Sequence, residues 1–178
     1  MSQISGPLVV VLMGVSGSGN STVGAELARL TGWAFRDADS FHPPANIEKM
    51  RRSMPLTDDD RWPWLDAIGG WIDECLARKQ PGIVSCSALK RAYRIRIGAK
   101  REGVRLVYLL GSQDMIGSRL VGRTGHFMPA DLLASQFAAL EEPGPEEKAL
   151  ILGIAMPPAF MARSIADKLN IAPAGGAA

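Results

Sequence analysis

Hydrophobic and polar positions follow two alternating patterns along this chain. Short strands are predicted at residues 8–13, 34–37, 82–86, 104–110 and 149–154, and the continuous apolar run at residues 8–12 is typical of a strand buried on both faces of a parallel sheet. Apolar positions three and four residues apart predict helices at residues 21–31, 62–78, 88–101, 113–122, 129–141 and 157–169. Because strands and helices alternate, we predict an α/β fold with a five-stranded parallel sheet flanked by helices.

Two polar, irregular segments interrupt these patterns, at residues 38–61 and 123–128. In a parallel sheet such segments lie near the carboxyl ends of the strands, where ligands bind, so we expect the function to concentrate there. We predict a single domain over residues 1–170. Residues 171–178 are expected to form a flexible tail.

Composition and charge exclude several classes of protein. With 178 residues, of which 47% are hydrophobic, the chain can bury a sizeable core without disulfides. A net charge of +2 is too small to indicate a nucleic-acid partner. The 2 cysteines lack metal-site or disulfide spacing, which favours reduced thiols and a cytoplasmic location. The sequence contains no signal peptide and no apolar span of about 20 residues, so no membrane partner is expected.

A phosphate-binding loop stands between the first predicted strand and the first predicted helix. Residues 14–22 read GVSGSGNST, close to the template Gly-x-x-x-x-Gly-Lys-[Ser/Thr], whose backbone N–H groups cradle phosphates. The N-terminus of the following helix adds its unpaired N–H groups and dipole. The alternative is a glycine-rich turn that binds no nucleotide. The candidate phosphate ligands are Gly14, Ser16, Gly17, Ser18, Gly19, Asn20, Ser21 and Thr22.

Asn20 occupies the position where the template has its lysine. Asparagine can donate hydrogen bonds, but it has no charge and a shorter reach than lysine. The loop is therefore expected to bind phosphates mainly through its backbone and the helix N-terminus.

A pair of carboxylates follows the second strand. Asp37 and Asp39 can divide their roles, one toward a hydrated Mg²⁺ ion and the other toward a substrate hydroxyl. The alternative is a solvated turn or a helix cap. Downstream, His42, Asn46 and Lys49 supply hydrogen-bonding groups suited to a polyol.

The end of the same segment has a structural interpretation and a functional one. Asp60 can cap the helix predicted at residues 62–78, with Pro63 in its first turn. Arg61, next to this cap, can also contact a ligand.

Taken together and in order, these motifs resemble the gluconate kinase family. The resemblance spans about residues 8–142 and rests on segments 14–22, 37–42, 46–50, 55–64, 86–94, 119–128, 135–137 and 140–143. It implies a P-loop NTPase fold of the nucleoside-monophosphate-kinase type, with a lid segment, and a homodimer. The implied reaction transfers the γ-phosphate of ATP to the 6-hydroxyl of D-gluconate.

The resemblance also implies roles for individual residues. Ser21 and Asp37 would hold Mg²⁺, while Asp39 would bind the acceptor hydroxyl and take its proton, although the two aspartate roles could be exchanged. A sugar acid needs cations at one end and paired donors and acceptors along its chain. The implied gluconate ligands are Asp39, His42, Asn46, Lys49, Arg61, Arg94 and His126.

Residues 119–130 resemble a lid. Arg119 and Arg123 are four residues apart and share one face if helical. We expect Arg123 on the phosphates, with a catalytic role, and Arg119 nearer the adenine, while closure excludes water. The alternative is a solvated helix end that stops at Gly125.

Three departures from the family pattern leave the level of activity open. They are Asn20 in place of lysine, Ile95 in place of aspartate and Gly153 in place of a frequent aspartate. Loss of one preorganised charge costs on the order of 10²–10³ in rate, so an impaired gluconate kinase remains possible. The competing hypothesis is a catalytically silent relative or disabled variant that binds nucleotide or sugar acid. A shikimate-type kinase is disfavoured by the spacing of His42 and Asn46.

Overall fold

The computed structural model describes residues 6–122 and 130–175. Its strands are β1 (Val9–Met13), β2 (Ala34–Asp37), β3 (Gly82–Ser85), β4 (Val104–Leu110) and β5 (Leu150–Gly153). Its helices are α1 (Asn20–Thr31), α2 (Pro44–Arg51), α3 (Asp58–Arg78), α4 (Arg91–Ile97), α5 (Gln113–Val121), α6 (Ala130–Ala139) and α7 (Pro158–Leu169). Short 3₁₀ turns occur at Ala38–Phe41 and Pro145–Glu147.

The five strands form one parallel sheet in the order β2-β3-β1-β4-β5, which confirms the predicted sheet. All five residues of β1, the central strand, are buried, as their continuous apolar run indicated. Because the strands are parallel, the loops after β1, β2 and β3 leave from the same edge of the sheet.

Helices cover both faces of the sheet, each over its own apolar cluster. On one face Val10 and Leu12 pack with side chains of α1 and α7, including Leu27 and Ile165. On the other face the alternate residues of β1 pack against α3 and α4. Successive side chains of a strand point to opposite faces, so β1 serves both clusters. Among the described residues, no helix combines the length and apolar character needed to cross a membrane.

The segment 38–61, predicted to be irregular, contains the first 3₁₀ turn, the helix α2 and the start of α3. Helix α2 leaves Ile47 and Met50 exposed and therefore lacks the apolar face that a periodicity argument requires. The prediction of irregular structure over residues 44–51 is wrong for this reason.

Helix α3 begins four residues before its predicted start. Thr57 is its N-cap, and its hydroxyl accepts a hydrogen bond from the Asp60 N–H, while the Asp60 carboxylate accepts one from the Thr57 N–H. This reciprocal capping box satisfies two of the free N–H groups of the first turn. Asp60 does cap the helix, but from its third position, and Pro63 therefore lies inside the helix rather than in its first turn.

Two further boundaries differ from the sequence pattern. Helix α4 covers only residues 91–97 of the predicted 88–101, because Ala88 has a positive φ of 45° and Gly98 ends the helix in the left-handed conformation. At the other end of the chain Ile171 is buried, and the Ala174 N–H donates to the Leu30 carbonyl. The first residues of the predicted tail are thus attached to the domain.

Candidate active site

A polar cleft of about 210 Å³ opens at the carboxyl edge of the sheet. The loops after β1, β2 and β3 bring its walls together, with Trp64 of α3 on one side. The residues lining it are Ser16, Gly17, Gly19, Asn20, Ser21, Thr22, Asp37, Ala38, Asp39, Trp64, Ser85, Cys86 and Ser87. The structure therefore unites most of the predicted phosphate loop with both predicted carboxylates.

The glycine loop has the geometry expected of a phosphate cradle. Gly19 has a φ of 96° and precedes α1, which begins without a side-chain cap. The first N–H groups of α1 are therefore open toward the cleft, where they can bind an anion. Gly17 has a φ of 88°, and a Cβ there would come within 3.0–3.1 Å of Ile116 and Leu120 on α5. A side chain at this position would strain the loop and displace α5.

Asn20 is hydrogen-bonded within the loop itself. Its Nδ2 donates to the Gly14 carbonyl at 3.0 Å, and its Oδ1 accepts from the Ser18 hydroxyl at 3.0 Å. These bonds close the loop but supply no positive charge. Among the described residues that line the cleft, none is lysine or arginine, whereas Asp37 and Asp39 are both acidic.

The loop is also held from outside, by a residue that sequence reasoning missed. Gln136 of α6 accepts a hydrogen bond from the Ser16 N–H at 2.7 Å and donates to the Ser16 hydroxyl at 3.1 Å. The Ser16 N–H, predicted to hold phosphate, is bonded to Gln136 in this structure. The two residues are 120 positions apart, so no local pattern could have paired them.

Ser21 and Asp37 are neighbours, as a shared Mg²⁺ site requires. The Ser21 hydroxyl donates to Asp37 Oδ2, and Asp37 Oδ1 accepts from the Asp39 N–H at 2.9 Å. Hydroxyl and carboxylate oxygens suit Mg²⁺, which keeps waters and substrate phosphates as its other ligands. Within the described part of the chain there is no group of three or more His, Cys, Asp and Glu side chains that could hold a metal. The Ser21 hydroxyl and the Asp37 carboxylate are the donors that fit an ion shared with a phosphate.

Asp39 is exposed at the cleft, and its pKa is raised. The cleft walls remove part of its hydration and raise its pKa, and the nearby charge of Asp37 raises it further, while His42 opposes both effects. A carboxylate with a raised pKa accepts a proton more readily, which suits a general base.

His42 is packed beneath this carboxylate rather than free in solvent. Its ring stacks on Trp64 with centroids 4.4 Å apart, and its Nε2 lies 3.9 Å from Asp39 Oδ1. Burial lowers the pKa of His42, which favours the neutral ring. Asn46 Nδ2, which also donates to the Asp60 carbonyl at 2.9 Å, lies 3.3 Å from His42 Nδ1. An amide nitrogen only donates, so Nδ1 accepts and Nε2 carries the proton facing Asp39.

The buried amide of Asn46 therefore positions His42. Asn46 is 3% exposed and does not line the cleft, and its nitrogen already binds His42 and Asp60.

Lys49 and Arg61 are both partly exposed but already paired. Lys49 Nζ lies 2.7–2.8 Å from the two carboxylate oxygens of Asp60, and this bond lowers the Asp60 pKa to about 2. Arg61 lies 3.5 Å from Asp58, which also accepts bonds from Lys90 and Tyr93. Because Asp58 is also paired with Lys90 and accepts a hydrogen bond from Tyr93, Arg61 is less tightly bound to its partner than Lys49 is.

Arg94 requires a correction. It was predicted as a gluconate ligand, but it is 1% exposed and its guanidinium is used inside the protein. Nε and Nη2 bind the Glu147 carboxylate at 2.7 and 3.0 Å, and Nη1 donates to the carbonyls of Ala88 and Leu89. Arg94 thus fixes the loop between β3 and α4 instead of contacting the cleft.

The predicted lid is only partly within the described residues. Arg119, in the last turn of α5, donates to the Ile154 carbonyl just after β5. Arg119 is adjacent to Leu120, whose side chain lies near Gly17 of the phosphate loop. Arg123 and His126, with the rest of the lid up to residue 129, lie outside the described residues.

The other two departures from the family pattern lie outside the cleft. Ile95 is 60% exposed on α4. Gly153 ends the edge strand β5, with open space where a Cβ would stand. Of the three departures, Asn20 is the one that lines the cleft.

Known proteins resemble the chain in both sequence and structure. No family model matches it. A gluconokinase from Gluconobacter oxydans is 45% identical over 141 residues, covering 79% of each chain. The thermoresistant gluconokinase of Escherichia coli is 44% identical over 139 residues, covering 78% of this chain and 79% of that protein. The crystal structure of a gluconokinase from Sinorhizobium meliloti superposes with a TM-score of 0.81 at 46% identity, covering 92% of each chain. At this level of identity and coverage, the chain belongs to the gluconokinase family and has its P-loop kinase fold.

Proposed function

We propose that this protein transfers the γ-phosphate of ATP to the 6-hydroxyl of D-gluconate, giving 6-phospho-D-gluconate, at a rate reduced by Asn20. The observation that carries the proposal is the meeting of Asp39 with the glycine loop in one cleft. A donor site and a base for the acceptor are thereby within reach of each other, as direct phosphoryl transfer requires. The names of the similar proteins supply the substrate.

On the acceptor side, Asp39 is the proposed catalytic base. Its raised pKa strengthens its affinity for the hydroxyl proton, and the His42 Nε2–H keeps a donor beside it. Arg61 and Lys49, at the neighbouring end of α3, are the proposed partners for the carboxylate and hydroxyls of the sugar acid. Asn46 supports this group by orienting His42.

On the donor side, the backbone of residues 17–22 and the start of α1 would hold the phosphates. Mg²⁺ held by Ser21 and Asp37 would neutralise charge on the phosphate oxygens. Arg119 is proposed to lie beside the adenine, Arg123 to act on the phosphates, and His126 to bind gluconate, as the resemblance implies. We also propose a cytoplasmic homodimer, on the resemblance alone, which light scattering on the purified chain would test.

A second function is favoured by one specific observation. The described lining of the cleft has two carboxylates and no lysine or arginine, so phosphate binding is electrostatically weak. A catalytically silent protein that binds nucleotide or sugar acid without turnover fits this charge balance.

Comparison of the parent chain with Asn20→Lys and Asn20→Ala separates the two functions. If the fold is intact and only charge is missing, Asn20→Lys should raise kcat on gluconate by at least about 10²-fold, with a smaller gain in ATP affinity. Asn20→Ala breaks the bonds to Gly14 and Ser18 without adding charge and should lower activity further. Production of 6-phosphogluconate is followed in a coupled assay. If the lysine form makes no product, the silent function replaces the first proposal.

A further inference from the structure

We propose that Gln136 is a positioning residue for the phosphate loop, holding Ser16 so that the following residues keep the shape that receives phosphate. The inference rests on nucleotide binding by this loop, as proposed above. The Gln136 side chain makes a two-point contact, accepting from the Ser16 N–H at 2.7 Å and donating to the Ser16 hydroxyl at 3.1 Å. One bond holds the Ser16 peptide and the other holds its side chain, so both parts of the residue are fixed relative to α6.

The helix that carries Gln136 gives the contact a rigid base. Leu133 of α6 is 5% exposed and belongs to the apolar cluster that also contains Val15 and Ile116. Phe137, one turn later on the same face, is partly buried against that cluster. Gln136 lies beside this anchored face, so its amide reaches the loop from a support that packing already holds in place.

Apart from the contact with Gln136, the described hydrogen bonds of residues 14–20 join neutral groups. The Gly14 N–H donates to the Ser87 carbonyl at 3.3 Å, the Ser18 N–H donates to the Val15 carbonyl at 3.1 Å, and the Asn20 amide closes the loop internally. Within the described residues, Gln136 is the side chain from outside residues 14–22 that binds Ser16. Because no lysine charge at position 20 attracts phosphate, the prearranged direction of the backbone N–H groups contributes a larger share of the binding.

The test compares Gln136→Ala, Gln136→Glu and Ser16→Ala with Ser135→Ala as the control. Ser135 is adjacent on α6, and its hydroxyl bonds only to the Leu132 carbonyl of its own helix among the described residues. Amide hydrogen exchange of Ser16 in the nucleotide-free protein reports the contact directly. Calorimetry with Mg·ATP, on the parent and Asn20→Lys backgrounds, reports its effect on binding.

Gln136→Ala should increase Ser16 amide exchange about tenfold and weaken Mg·ATP binding about tenfold, the effect of losing one or two neutral hydrogen bonds. The KM for gluconate should change less than twofold, which separates positioning of the loop from general destabilisation. Gln136→Glu keeps an acceptor for the Ser16 N–H and should restore its protection, while its charge weakens ATP binding. Ser16→Ala should show a smaller loss of affinity, and Ser135→Ala no change.

Two results would overturn the inference. One is Ser16 exchange that is the same in Gln136→Ala as in the parent. The other is tighter Mg·ATP binding in Gln136→Ala, which would mean that Gln136 competes with phosphate for the Ser16 N–H. If neither the parent chain nor the Asn20→Lys protein binds nucleotide, the proposed function is overturned instead, whatever the rate of hydrogen exchange at the Ser16 amide.

Discussion

At the residue scale, Asp39 combines a raised pKa with an exposed position at the cleft. A carboxyl whose pKa is raised on folding adds stability below its ordinary pKa of 3.8, and that stability is lost as the pH rises through the folded value. The ionised Asp39 is therefore a small cost to the folded protein at pH 7, because water screens a side chain that is 87% exposed. Such a cost is expected at a site where the protein needs a base.

Asp39→Asn should remove both the destabilising negative charge and the proposed catalytic base. We expect kcat to fall by about 10²–10⁴-fold, and the melting temperature at pH 7 to rise. In the parent, kcat/KM for gluconate should fall with decreasing pH along a limb that lies above pH 3.8, because protonated Asp39 cannot accept the hydroxyl proton. Steady-state kinetics and calorimetric melting measure both effects.

Asp66→Asn is the matched control. The Arg96 guanidinium lowers the pKa of Asp66, so ionised Asp66 is favourable and its replacement should not raise the melting temperature. If Asp39→Asn retains full kcat, Asp39 is not the base. If it melts below the parent at pH 7, the argument from its raised pKa is wrong.

At the scale of elements, helix α4 carries two arginines with opposite surroundings. Arg94 is buried and binds Glu147, whose side chain is 2% exposed, so this pair ties α4 to the turn before β5. Arg96, two residues later, pairs with Asp66 on α3, and both side chains are about half exposed. Breaking a buried pair leaves an unpaired charge in the interior, whereas an exposed pair is screened by water.

Arg94→Ala should lower the free energy of unfolding by about 3–5 kcal/mol, against about 0–1 kcal/mol for Arg96→Ala. Arg94 lowers the pKa of Glu147, so the stability from this pair is present above pH 4.5 and is lost as the pH falls through the lowered value. The difference between the two variants in the free energy of unfolding, measured in urea, should therefore become smaller at acidic pH. Equal stability of the two variants at pH 7 would contradict the assignment of Arg94 as a structural residue.

At the scale of the whole molecule, the charges of the described cleft residues predict that ATP binding depends on a metal ion. The sheet directs Asp37 and Asp39 to the edge where the glycine loop opens, and the described lining offers no lysine or arginine in return. A polyphosphate brought there meets two carboxylates at close range. Its binding is therefore expected to require a cation that it carries with it.

ATP should raise the melting temperature of the parent only when Mg²⁺ is present, and EDTA should remove the effect. Ligand at 100 times its Kd adds about 2.7 kcal/mol to the stability of the folded state, which a thermal shift assay detects. The Asn20→Lys form should keep part of the ATP shift in EDTA, because its own charge replaces some of the metal's. An ATP shift in the parent that EDTA leaves unchanged would show that another cation of the protein reaches the phosphates.

The sequence by itself determined the features that depend on neighbouring residues. Periodicity predicted the five parallel strands and most of the helices, and the spacing of glycines placed the phosphate loop between β1 and α1. The position of Asp37 at the end of β2 placed the carboxylate pair at the edge of the cleft. These are local patterns, and backbone geometry converts them directly into structure.

The tertiary structure decided which polar groups were still available for a ligand. Arg94 has the chemistry to bind a sugar acid, but it is buried and its partner is Glu147, 53 residues away. Gln136 reaches Ser16 across 120 residues, and α2 forms without an apolar face of its own. Hydrogen bonds and ion pairs form between groups that folding brings together, so their partners depend on the packed chain and not on the spacing of residues along it.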